Sequence, residues 1–128
     1  MTAAQDRSVL TDWWLESARQ EIERTVPKAV EYGSGDLAEI GYAMSRIMGR
    51  DLDRSPAGHQ QATELGIFFY LVGKTARWEQ AIHDGRQASD DTLFDMGVYV
   101  KMAQRNRAVG GWPFGPEPER EQDKDGGW

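Results

Sequence analysis

Three carboxylates, Asp90, Asp91 and Asp95, stand at the start of a helical stretch that reads DGRQASDDTLFDMGVYVKMAQ over residues 84–104. Acidic side chains suit a helix N-terminus, and Asp90 needs no other reason to be there. Asp95 lies a full turn further in. Asp91 and Asp95 are four residues apart and share a helix face, which Val98, Tyr99 and Met102 continue. Carboxylates entering an otherwise apolar strip must be paired with cations or hold a metal ion. Oxygen ligands suit Mg²⁺. Glu64 heads a comparable strip, followed by Phe68, Leu71, Thr75, Trp78 and Ile82, which the spacing makes the core face of its helix. Lys74 and Arg77 lie on the flank, where cations clamp phosphates and stabilise developing negative charge. The competing expectation is a structural ion pair from Asp91 to Arg77 or Arg86. The two readings differ in a melt. If the acids only repel one another, Asp95→Asn raises the metal-free melting temperature; if Asp95 is salt-bridged, it lowers it.

The rest of the chain narrows the chemistry. There is no cysteine, so disulfides, zinc–thiolate sites and thiol nucleophiles are excluded. His59 and His83 are too far apart in sequence for a metal-ligand pair. The net charge of −6 argues against coating nucleic acid. No apolar run reaches the ~20 residues of a membrane span, and the N-terminal residues carry no hydrophobic signal core. The expectation is a soluble cytoplasmic protein with no membrane partner.

The elements that must position these residues are helices. Residues 1–10 read as a flexible N-terminus. Thr11 or Asp12 caps a helix in which Leu15, Ala18, Ile22 and Val26 form an apolar stripe; Pro27 kinks or ends it, and Gly33 stops the chain before a turn. Asp36 caps a second helix with Leu37, Ile40, Met44 and Ile47 or Met48 inward. A third begins near Gly58, and a fourth is capped by Ser89 or Asp90. The expected spans are 12–32, 35–49, 58–84 and 89–107, with no strand, making an all-α antiparallel four-helix bundle over residues 11–109. Residues 110–128, rich in glycine, proline and alternating charge, read as a disordered tail from which Trp112 and Phe114 can pack back. The adjacent Trp13 and Trp14 cannot both face a core, and fit an oligomer contact.

Three short elements carry a resemblance. Lys28, Glu31, Tyr32 and Gly33 form a Lys-x-x-acid-Tyr-Gly segment. Glu64-Leu65-Gly66 is followed by Lys74 and Arg77. Asp91-Thr92-Leu93-Phe94-Asp95 is followed by Tyr99. In that order and spacing they resemble the nucleotide-modification-associated family and the related MazG-like and dimeric-dUTPase-type all-α nucleoside triphosphate pyrophosphohydrolases. The resemblance spans about residues 25–105 and is to the small phage and bacterial members. It implies a MazG-like, oligomeric bundle, a homodimer or homotetramer, working in the host cytoplasm. It implies Mg²⁺ held by Asp91 and Asp95, with Glu64 and Glu31 as further ligands or the catalytic base that activates water. Lys28, Lys74 and Arg77 would hold substrate phosphates, and Tyr32 or Tyr99 would stack on the base of the nucleotide or fill the core. The reaction implied is hydrolysis of a (deoxy)nucleoside triphosphate to monophosphate and pyrophosphate. Gly73 stands where relatives often carry an acid, which leaves open a non-catalytic nucleotide- or protein-binding role on the same fold.

Overall fold

The computed structural model describes residues 2–116. Four helices are present, α1 (Ala3–Tyr32), α2 (Leu37–Ile47), α3 (Pro56–His83) and α4 (Asp90–Val109), and no strand occurs among the described residues. The expected all-α architecture is borne out. The chain divides into two units, Met1–Tyr32 and Gly33–Trp128. The first is α1 by itself, so the packing that surrounds the acids is that of α2, α3 and α4.

Helix α1 starts at Ala3, well before the expected cap. The Thr2 hydroxyl accepts from the Gln5 amide at 3.1 Å, and the Gln5 side chain accepts from the Thr2 amide at 2.7 Å. This reciprocal capping box satisfies two orphan donors and extends the helix through the polar residues 3–10. Pro27 lies inside the helix and does not end it. The helix ends at Tyr32, and Gly33, at φ 66°, supplies the left-handed residue that stops it.

In the second unit α2 lies against α3 at backbone distance. A Cβ added to Gly41 would collide with the Ala62 carbonyl, and one added to Gly66 with the Leu37 carbonyl, both far inside the 3.0 Å limit of real contacts. Residue 41 meets 62 and residue 37 meets 66, so the two helices are antiparallel. The buried positions are Leu37, Gly41, Tyr42 and Ser45 on α2 and Gly58, Ala62, Thr63, Gly66 and Ile67 on the facing part of α3. Leu37 is buried and Ile40 and Met44 half-buried, as expected for α2, but the end of that stripe and most of the expected α3 face are overturned. Phe68, Trp78 and Ile82 of α3, Ile47 at the end of α2 and Met48 just after it are exposed. Small residues let the backbones approach, so the large apolar side chains are left outside the contact.

Helices α3 and α4 meet along a seam of helical spacing: Gln60, Ile67, Tyr70 and Lys74 on one side, Asp95, Tyr99, Met102 and Asn106 on the other. Gln60 Nε2 donates to the Asn106 carbonyl at 2.9 Å, and Asn106 Nδ2 donates to the Gln60 carbonyl at 3.0 Å. Ile67 and Met102 join Leu37 in the apolar cluster. The Tyr70 and Tyr99 rings stack at 5.9 Å, and Lys74 Nζ lies 2.8 Å from Asp95 Oδ2. The residue numbers rise on one helix as they fall on the other, so this pair is antiparallel too.

The helix caps follow side-chain chemistry. Ser55 accepts from Gly58 N with Pro56 in the first turn, which starts α3 two residues earlier than expected. Ser89, rather than Asp90, caps α4 by accepting from Thr92 N at 3.1 Å. Asp36 stands at the start of α2 without a side-chain capping bond; its carboxylate accepts instead from the Tyr70 hydroxyl at 3.3 Å. Of the segment read as a tail, residues 110–116 are described. Trp112 packs on the apolar cluster, and Arg105 Nε donates to the Pro113 carbonyl at 3.0 Å. Residues 117–128 of that expected tail lie outside the described residues.

Candidate functional site

The acid strip is explained first by the α3–α4 seam. Asp95 is the seam residue one turn before Tyr99, and opposite it stands Lys74, whose side chain is 17 % exposed. Antiparallel register brings the two together. Asp91 lies one turn nearer the N-terminus of α4 and is exposed. Arg77, three residues beyond Lys74, is exposed on the same end of α3. Asp90 is an exposed first-turn residue, as its position required. The structure therefore gathers Lys74 and Asp95, with Asp91 one turn along α4 and Arg77 one turn along α3.

A cavity of about 360 Å³ opens here, lined by Phe69, Tyr70, Val72, Gly73, Lys74 and Arg77. It offers two aromatic rings and two cations. Tyr70 was missed in the sequence because it belongs to the seam stripe, not to the large-apolar stripe of α3. Burial first, and then the nearby Asp36 carboxylate, push the Tyr70 phenol above its ordinary range. It stays a neutral donor toward Asp36. Gly73 leaves open space, with nothing within 4 Å of an added Cβ. Gly73 is an unfilled part of the cavity wall.

Glu64 is not part of this group. It is ten residues before Lys74 on the same helix, roughly 15 Å along the axis at 1.5 Å per residue. Its partner is Arg107 near the end of α4. The two side chains sit on a different cavity, about 430 Å³, whose walls include Phe68, Leu71, Tyr99 and Val100. Tyr99 is half-buried and held against Tyr70, so it both lines that cavity and packs the seam. Lys28, Glu31 and Tyr32 form the last turn of α1, in the other unit. They share one helix face through three- and four-residue spacing and all are exposed; Tyr32 is 71 % exposed.

Among the described residues no group of three or more histidine, aspartate or glutamate side chains could hold a metal ion. The donor set fits Mg²⁺ in a more limited way. Mg²⁺ commonly takes one or two protein carboxylates and completes its shell with waters and substrate phosphates. Asp91 and Asp95 supply that number. Metal-free, Asp95 is neutralised by Lys74, so the repulsion between acids considered from sequence is offset. With a partner at 2.8 Å, Asp95→Asn lowers the metal-free stability, by about 1 kcal/mol for a pair that is part-exposed.

Glu64→Gln separates the two clusters. The Arg107 side chain is 75 % exposed, and such pairs contribute little. The substitution is expected to change stability by under ~0.5 kcal/mol. It should leave any Mg²⁺-dependent property of the Asp91–Asp95 end within about twofold of wild type. A thermal melt and a Mg²⁺ titration on the same variant check this; loss of Mg²⁺ response would return Glu64 to the metal site. No family model, no curated protein and no solved structure matches this chain.

Proposed function

We propose that the protein is a Mg²⁺-dependent nucleotide pyrophosphohydrolase-like enzyme, acting on a (deoxy)nucleoside triphosphate at the Lys74–Asp95 end of the α3–α4 pair. One observation carries the reading: Lys74 pairs with Asp95 and at the same time lines a cavity that Arg77 and two aromatic rings complete. In this reading Asp91 and Asp95 hold the metal. Mg²⁺ held there would neutralise phosphate charge and act as a Lewis acid. Lys74 moves from Asp95 to a phosphate oxygen, and Arg77 clamps a second one; both oppose the charge that grows on the leaving pyrophosphate. Tyr70 and Phe69 offer ring faces to the base. The attacking water needs a carboxylate base to take its proton.

A second reading is favoured by Gly73. Without an acid at that position, and with both Asp95 and Glu64 already neutralised by cations, the same cavity can bind a nucleotide and leave it intact. Metal-dependent stabilisation is common to both readings and absent from a purely structural bundle. At millimolar concentration Mg²⁺ is expected to raise the wild-type melting temperature by a few degrees through mass action. Asp95→Asn is expected to remove that rise. A wild-type melt indifferent to Mg²⁺, with and without a non-hydrolysable nucleoside triphosphate, would leave the Lys74–Asp95 pair as a structural salt bridge alone.

A further inference from the structure

The cavity of about 430 Å³ lies within the second unit and is lined by neither Lys74 nor Asp95. One wall is a stripe of α3 at helical spacing: Gln61, Glu64 with Leu65, Phe68 and Leu71. The facing wall is a stripe of α4: Val100, Ala103 and Arg107. Antiparallel register gives the cavity two unlike ends. Gln60 meets Asn106, whereas Tyr70 meets Tyr99. Gln61, Glu64 and Arg107 therefore stand at one end, and Phe68, Leu71 and Val100 toward the other. Helix α2 runs antiparallel to α3, so the segment after its C-terminal end brings Arg50 to the polar end. The charges there do not cancel. Arg107 bonds Glu64. Arg50 donates its backbone amide to the Ser45 carbonyl at 2.8 Å, and its guanidinium forms no ion pair among the described residues. One positive charge is left over at the mouth of an apolar slot.

We infer that this cavity is a binding site for a medium-chain fatty monocarboxylate, with the carboxylate on Arg50 and the chain along Leu65, Phe68, Leu71 and Val100. Small-molecule sites are concave and mostly apolar, with a few polar groups that fix orientation, and this cavity has that make-up. A planar guanidinium takes a carboxylate through two parallel hydrogen bonds. The charge count selects a monoanion. A neutral amphiphile leaves Arg50 without an anion, and a cationic one is repelled by it. A dianion such as a phosphate monoester brings a second charge, and Arg107 is already held by Glu64. The apolar part runs from Leu65 to Leu71, roughly 9 Å at 1.5 Å per residue, which suits an extended chain better than a compact ring. Phe68 and Val100 are exposed on its walls, and covering them with alkyl groups removes apolar surface from water. The site uses none of the residues given a part in nucleotide hydrolysis and does not depend on that reading.

Isothermal titration calorimetry of the full chain with hexanoate, octanoate and decanoate, below their micellar concentrations, tests this. One site is expected, with affinity rising about fourfold for each added methylene. Octanol and octyltrimethylammonium are expected to bind about tenfold more weakly than octanoate, for want of the Arg50 contact. Arg50→Gln is expected to weaken octanoate about tenfold and to leave octanol within about twofold. Val100→Trp fills the apolar end and is expected to remove both. Should it lose helix content by circular dichroism, Phe68→Ala, at an exposed position, gives the same reading as a loss of about tenfold. Lys101→Gln, an exposed cation outside the cavity, is expected to leave octanoate within about twofold. No binding of decanoate at about 1 mM overturns the inference. Equal affinity for octanoate, octanol and octyltrimethylammonium overturns it as well, since any apolar surface would then serve. Octanoate binding unchanged by Arg50→Gln, or by the variant at the apolar end, overturns it by placing the ligand elsewhere.

Discussion

Gly66→Ala is expected to lower the melting temperature of the α2–α4 unit by roughly 15 °C, the equivalent of about 3 kcal/mol in a domain of this size. The added methyl would stand inside the Leu37 carbonyl, and a backbone group cannot rotate away. The α2–α3 contact has to open, which unpacks Leu37, Tyr42 and Ser45 from the core. Gly73→Ala is the matched control. It sits seven residues later on the same helix and meets nothing within 4 Å. There the ordinary helix preference for alanine applies, and the protein is expected to gain about 0.5–1 kcal/mol. Two glycine-to-alanine changes in one helix should thus move stability in opposite directions. Equal effects in the two melts would mean that α2 and α3 are not in backbone contact.

The second large effect is on activity. Asp95→Asn is expected to reduce nucleotide hydrolysis at least a hundredfold, on the scale of losing a group that places charge in the transition state. Lys74→Met should approach that loss while keeping the stem that packs in the seam. The two changes differ on stability, which separates chemistry from folding. Asp95→Asn leaves a part-buried ammonium without its carboxylate, whereas Lys74→Met leaves a carboxylate that is 36 % exposed and can reach water. Lys74→Met is therefore the milder of the two in a melt. Steady-state rates together with melts of both variants check this; hydrolysis retained by both would remove the α3–α4 pair from the chemistry.

Much of this was legible in the chain, and the rest failed for definable reasons. Helix existence and the breaks at Gly33 and at the Ser89 cap followed from periodicity and cap chemistry. The start of α1 did not, because a polar decapeptide hid the Thr2–Gln5 capping box. The core face of α3 and the last turn of α2 were misread for one physical reason. Hydrophobicity points to Phe68, Trp78 and Ile82, while close backbone approach selects Gly41, Ala62 and Gly66. Gly66 was visible in the Glu64-Leu65-Gly66 motif, but its reason, the Leu37 carbonyl, belongs to another helix. Asp95 and Lys74 were both singled out; their pairing required the antiparallel register, which no local pattern encodes. Glu64 was joined to Asp91 and Asp95 by the resemblance, although ten residues of helix rise separate it from Lys74, the partner of Asp95.

The most direct measurement is chromatographic analysis of the products that the wild-type protein forms from individual nucleoside and deoxynucleoside triphosphates with Mg²⁺, run beside Asp95→Asn. The account predicts nucleoside monophosphate and pyrophosphate in equal amounts from at least one triphosphate. It predicts no reaction without Mg²⁺ and at least a hundredfold less with the variant. Unchanged triphosphate across the whole panel, or a product pattern of diphosphate and orthophosphate that Asp95→Asn does not alter, would contradict it.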